Sequence, residues 1–357
     1  MEPMPIFNLL KPVSVAELLD MQAAAPEARV VAGGTDLVPN IRRGIERPPT
    51  VIDLNGVAEM AAIDIADDGS ARIGAAVTLA DLCADPQVQA SWPVVVEAAE
   101  TVAGPTHREV ATIGGNLCLD TRCVYYNQSE WWRNANDYCL KREGTICHVA
   151  PKSDKCFAAF SGDVAPACIV VGAAVDIAGP EGQRTIPLAD LYREDGAAHL
   201  TLAPGEVVVA LRLDPPDGSR AAYAKVRQRG SIDFPLVGVA VAVRRDGDTL
   251  GKLGIAFTGT NSRPLPIEGL DVFAGSAMDE DALDRIERLV AKQLQPTQNP
   301  PRRFPLALRP RRQSKPPHLQ DVDQTGTMCI SGISETRVGD HGLLTTRTEG
   351  ARWRPDR

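Results

Sequence analysis

Aromatic side chains make up only 4% of the 357 residues, and there are just five histidines. His107, His148, His199, His318 and His341 are scattered along the chain. The chain also lacks a GxSxG, HExxH or kinase-type set, so acid–base or nucleophilic chemistry by side chains is not expected. No apolar run approaches the roughly 20 residues that span a bilayer. Met1 to Pro12 has no basic start leading into an apolar core, so a secretory signal is not expected and a cytoplasmic location is. Positive charge is not in excess either: the net charge is -8 and the pI is near 5.3. That excludes nucleic acid as the main partner. With 44% hydrophobic and 24% charged residues, the chain reads as globular, with room for two or three domains.

What is present is unevenly placed. Of the eight cysteines, Cys118, Cys123, Cys139, Cys147, Cys156 and Cys168 fall within 51 residues. Seven of the sixteen aromatics lie between Cys123 and Phe160. This reads as an inserted module with its own small core. Cys123, Cys139, Cys147 and Cys156 are separated by 15, 7 and 8 residues, without the CxxC pairs common in zinc ribbons and bacterial ferredoxins. The spacing therefore leaves iron–sulfur, structural zinc and plain buried thiols open. Lys141, Arg142, Lys152 and Lys155 lie among these cysteines and would offset thiolate charge. Trp131 and Trp132 could shield a cluster from water.

Local patterns give the element order. Val13 to Ala24 has helical spacing, with Ser14 as N-cap and Glu17 three residues on. Arg29 to Ala32, Val51 to Leu54 and Arg72 to Ala75 read as short strands. A helix follows from Leu37, Thr78 caps another over Leu79 to Cys83, and Val94 to Val102 forms a third. Cys168 to Ile177 and Glu206 to Leu213 read as apolar strands. Val237 to Arg244 and Leu253 to Thr258 suggest an antiparallel sheet around a turn at Asp246-Gly247. A helix over Asp279 to Gln293 closes the pattern. The result is an α+β chain of two lobes, divided at Pro215-Pro216-Asp217-Gly218.

Two glycine turns carry the chemistry. In Ala32-Gly33-Gly34-Thr35-Asp36, a strand bends sharply into a helix, where backbone amides can approach an anion such as a pyrophosphate. It is neither a GxGxxG fingerprint nor a Walker A loop. The second turn is Ala111-Thr112-Ile113-Gly114-Gly115-Asn116. Together the two could hold the two ends of one extended dinucleotide. Such a chain carries a cofactor and leaves the hard chemistry to it.

In order along the chain, Val31 to Leu37, Asp53-Leu54, Ile73 to Leu79 and Ala111 to Asn116 resemble the FAD-binding medium subunits of molybdenum hydroxylases. That family includes carbon monoxide dehydrogenase and xanthine dehydrogenase. The resemblance covers about residues 5–290. It implies a two-lobed FAD-binding fold of the vanillyl-alcohol oxidase (PCMH) type over 1–216, then a C-terminal α+β domain over 217–295. It also implies that Val30, Val31, Ala32, Gly33, Gly34, Thr35, Asp36 and Leu37 form the pyrophosphate loop. Thr112, Gly115 and Asn116 would form the second contact turn. Asp163 would be an acidic contact, Val208 an apolar contact and Lys225 a basic contact close to the flavin.

The passage to Ser161-Gly162-Asp163 is interrupted over 118–160. That insertion, with the runs Ala103 to Arg108 and Tyr125 to Trp132, resembles the 4-hydroxybenzoyl-CoA reductase branch of the family. The branch implies a [4Fe-4S] cluster on Cys123, Cys139, Cys147 and Cys156. It also implies a heterotrimer with a [2Fe-2S] small subunit and a molybdopterin-binding large subunit, itself dimerised. Electrons would flow from reduced ferredoxin through the cluster and FAD to the partner subunits, where an aromatic acyl-CoA loses its phenolic hydroxyl.

Residues 296–357 depart from the family. They hold 8 of the 28 prolines and carry 11 Lys+Arg against 6 Asp+Glu. They read as an irregular, poorly ordered tail, either divergent or from a shifted reading frame. Three other readings stand beside the main one: the flavin subunit of a different molybdenum hydroxylase, an assembly subunit with structural zinc, and an NADH-using flavoprotein.

Overall fold

The computed structural model describes residues 4–294. Cys329, His318, His341 and the expected tail over 296–357 lie outside the described residues.

The first sheet is parallel. Its strands are β1 (Asn8–Leu10), β2 (Arg29–Val31) and β3 (Thr50–Asp53), in the order β1-β3-β2. Parallel neighbours need crossovers. Here the helices Val15–Ala24 and Leu37–Arg42 lie along those connections. The first of them starts as its sequence predicts. The Ser14 hydroxyl accepts from the Glu17 amide at 3.2 Å, and the Glu17 carboxylate accepts from the Val13 amide at 2.8 Å. This satisfies N-terminal amides that the helix itself cannot pair.

The second sheet is antiparallel. It contains β4 (Ile63–Ile65), β5 (Ala71–Gly74), β6 (Ala174–Gly179), β7 (Gly182–Pro187) and β8 (Val207–Leu213), in the order β4-β5-β8-β6-β7. The third is also antiparallel, with β9 (Arg220–Val226), β10 (Val237–Asp246), β11 (Thr249–Thr258) and β12 (Leu265–Pro266) in the order β12-β11-β10-β9. Helix Pro93–Glu100 packs on β9, and helix Val164–Val170 packs on β10 and β11. One apolar core, including Ile73, Leu79, Val95, Phe160, Val175, Leu211 and Ala256, runs through these contacts.

Cys168 to Ile177 is not the single strand expected. Val164–Val170 is a helix, the chain reverses at Gly172, and β6 starts at Ala174. A short apolar run suits a buried helix as well as a buried strand, and here tertiary packing decides.

The Cys-rich segment is built mostly of turns, with one short helix at Glu130–Ala135. Its small core is not wholly its own, since Tyr126 and Cys139 pack with Ile45 from outside it, and Cys123 packs against them. Arg133 is buried and donates to the Gly44 carbonyl at 3.0 Å, tying the segment to the loop before β3. Of the two tryptophans, Trp131 stands 78% exposed and Trp132 is half-buried.

Candidate cofactor site

The loop from β2 into helix Leu37–Arg42 is pressed against the segment before the second glycine turn. A Cβ on Gly33 would lie 1.8 Å from the Val110 carbonyl oxygen, so only glycine permits this approach. At the second turn, Thr112 caps the helix Ile113–Leu117, its hydroxyl accepting from the Gly115 amide at 3.1 Å. Asn116, nearly buried, accepts from the Val164 amide at 3.1 Å and so positions the chain next to Asp163.

These elements enclose a cavity of about 500 Å³. Its wall includes Val30, Val31, Ala32, Gly33, Gly34, Thr35, Asp36 and Leu37 from one side. Thr112, Gly115, Asn116 and Asp163 come from the other. Two expected residues do not line it. Val208 is buried in the middle sheet, paired with Ile177 across β6. Lys225 stands one step behind the wall, where its ammonium donates to Asp163 at 2.8 Å and to the Thr101 carbonyl at 3.1 Å. The Tyr223 hydroxyl donates to the other Asp163 oxygen at 2.7 Å. Burial pushes the Asp163 carboxyl above its ordinary range, and the adjacent Lys225 pulls it back.

The residues of the wall that the sequence did not point to include Arg122, Asn127 and His107. Each carries a buried polar atom without a partner: Arg122 Nε, Asn127 Oδ1 and His107 Nδ1. Buried polar atoms are rarely left unpaired. Three on one cavity wall fit a polar occupant such as FAD, and so does a glycine cradle that a Cβ would fill. The proximity of Arg122 to Asp36 spans more than eighty positions and leaves no local signal.

The four expected ligand cysteines come into one neighbourhood. Cys139, Cys147 and Cys156 are buried, and Cys123 is partly so. Cys123 feels the charges of Cys139 and Cys147, and Cys156 those of Cys147 and Cys123. Burial pushes the Cys156 thiol up to about 12; the Ala158 amide and Lys141 oppose that rise. Lys141 is itself buried, donating to Asp120 at 2.7 Å, Thr121 at 2.6 Å and the Gly196 carbonyl at 2.8 Å. Thiolates form in such a pocket only if an occupant brings positive charge. Among the described residues, no three His, Cys, Asp or Glu side chains converge to hold a single metal ion. Nor, among them, is any helix long and apolar enough to cross a membrane.

A family model for the FAD binding domain in molybdopterin dehydrogenase matches residues 5–215, and one for the CO dehydrogenase flavoprotein C-terminal domain matches 221–305. The chain is 37% identical over 255 residues to the FAD-binding subunit of an Escherichia coli (strain K12) aldehyde oxidoreductase, covering 69% of this chain and 79% of that one. It is 26% identical over 283 residues to the carbon monoxide dehydrogenase medium chain of Afipia carboxidovorans, covering 78% and 83%. Its fold superposes on a crystal structure of Cu,Mo-CO dehydrogenase with a TM-score of 0.66 at 25% identity, covering 82% and 90%.

Proposed function

This chain belongs to the FAD-binding subunits of the molybdenum hydroxylase family, and from that premise we propose that it carries two redox centres, FAD and a [4Fe-4S] cluster. The observation that carries the flavin half is the cavity, whose wall gathers both glycine turns and Asp163. FAD, when bound, exchanges electrons singly or in pairs, which suits a relay between one-electron and two-electron partners. The chain's own residues hold it in place. The Gly33-Gly34 turn admits the diphosphate, Thr112 and Asn116 fix the opposite wall, and Lys225 keeps the Asp163 carboxylate oriented.

For the second centre, the support is four thiols that are electrostatic neighbours without converging on one point. A [4Fe-4S] cluster and a structural zinc are both held by four thiolates, and the resemblance carried by the insertion favours the cluster. Cys123, Cys139, Cys147 and Cys156 would hold it, with Lys141 offsetting part of the thiolate charge.

The partners on this reading are a molybdopterin-binding large subunit and a [2Fe-2S] small subunit. Two substrates compete. The runs Ala103 to Arg108 and Tyr125 to Trp132 favour 4-hydroxybenzoyl-CoA, with ferredoxin as donor. The 37% identity to an aldehyde oxidoreductase subunit favours an aldehyde, with electrons leaving through this chain.

Anaerobic purification of the complex, with iron, sulfide and flavin quantified, tests the two centres. Wild type should hold one FAD and about four irons beyond those of the [2Fe-2S] small subunit. Cys139→Ser should lose about four irons relative to wild type and keep FAD; unchanged iron in that variant removes the ligand assignment, and zinc in place of those irons removes the cluster. Turnover with an aldehyde and a dye acceptor, against turnover with 4-hydroxybenzoyl-CoA and reduced ferredoxin, separates the substrates.

A further inference from the structure

We propose that Arg122 donates its Nε–H to the diphosphate of the bound dinucleotide, so that the Cys-rich segment forms part of the flavin site. The inference rests on reading the cavity as the FAD site. The Arg122 side chain is turned inward, only 13% exposed. One end of its guanidinium is ion-paired with Asp36 of the first glycine turn, and Nη1 donates to the Asn40 side chain at 3.0 Å. The group lies over the Phe234 ring, 5.5 Å from its centre. Both contacts to the glycine turn and its helix hold the fork rigidly, while Nε stays buried and unpaired in a side chain that lines the cavity.

A desolvated guanidinium N–H is costly to leave unmade, and the planar fork matches phosphate oxygens. Of the parts of FAD, only the diphosphate is anionic, and it belongs at the turn that Arg122 already touches. The backbone of Arg122 points the other way. It exchanges hydrogen bonds with Ala159, both at 2.7 Å, immediately beside Cys123. One residue therefore connects the dinucleotide cradle to the thiol neighbourhood.

The test titrates the deflavinated full chain with FAD and, separately, with riboflavin, which has no phosphate. Arg122→Met should weaken FAD about ten- to a hundredfold, the range of a charge-assisted hydrogen bond, and leave riboflavin unchanged. Arg122→Lys should fall between, keeping the charge and losing the fork. Equal loss for both flavins, or unchanged FAD affinity, overturns the proposal. Should Arg122→Met not fold, Asp36→Asn decides. Undiminished or tighter FAD binding supports a guanidinium that serves the phosphate, whereas weakened binding shows that the Asp36 pair is what the turn needs. A wild-type chain that binds no FAD defeats the flavin reading itself; one that binds FAD regardless of Arg122 defeats only this inference.

Discussion

Gly34 holds φ +69 at the bend of the first turn, and a Cβ there would meet Val38 Cγ2 at 3.0 Å. A β-branched side chain in that left-handed conformation costs about 1–2 kcal/mol before any crowding. Gly34→Val should therefore weaken FAD by about tenfold or more, read by flavin fluorescence titration. Unchanged affinity would mean that this turn is not the cradle. Residues of this kind were legible in the sequence because a glycine pair after a strand states a backbone requirement locally. Val208 was not legible. Val207 to Leu211 are all buried, so nothing in the alternation of β8 indicates which residue faces a cavity. Arg122 was hidden for a different reason: its partners Asp36 and Asn40 come close only once the Cys-rich segment has folded back over helix Leu37–Arg42.

At the scale of elements, the helices capped by Ser14 and Thr78 and the apolar strand Glu206 to Leu213 were readable, and the apolar run Cys168 to Ile177 was not. Thr78 accepts from the amide three residues on at 3.0 Å, as the sequence anticipates, and Asp279 does the same at 2.8 Å for the last helix. Helix Val164–Val170 has no such cap from Asp163, whose carboxylate is engaged by Tyr223 and Lys225 instead. The strap from Tyr192 to Leu200 was also unforeseen. Its Gly196 amide donates to the Cys156 carbonyl at 2.8 Å, while the Gly196 carbonyl accepts from Thr121 and Lys141. His199 on this strap is buried, which holds it near pKa 4 against an ordinary 6.5, with the Lys141 charge acting the same way. The folded chain thus binds fewer protons than the unfolded one. Stability from a neutral His199 is complete above pH 6.5 and is lost as pH falls through about 4. The loss amounts to up to about 3 kcal/mol. His199→Gln, which cannot be protonated, should flatten this acid limb in denaturant midpoints measured against pH. Identical limbs in the two proteins would show that His199 is not the titrating group.

Across the whole molecule, strand β9 of the third sheet is tied to the cavity wall at Asp163. Tyr223 and Lys225 are alternate residues of β9, so their side chains share one face, and both end on Asp163. Asp163 and Lys225 are 4% and 3% exposed, which makes this a buried pair whose partners cannot be removed alike. Tyr223→Phe takes away one hydrogen bond and should cost about 1 kcal/mol. Lys225→Met leaves an unpaired buried charge and should cost about 3–5 kcal/mol, with FAD released in parallel because Asp163 lies on the cavity wall. Replacing both charges, Asp163→Asn with Lys225→Met, removes the uncompensated carboxylate and should recover much of the stability lost by Lys225→Met alone. Urea midpoints and flavin content of the three variants check the ordering. Stability recovered by the double variant without recovered FAD would mean that Asp163 touches the flavin directly. Additive losses in the double variant would mean that the pair is not what joins the sheet to the site.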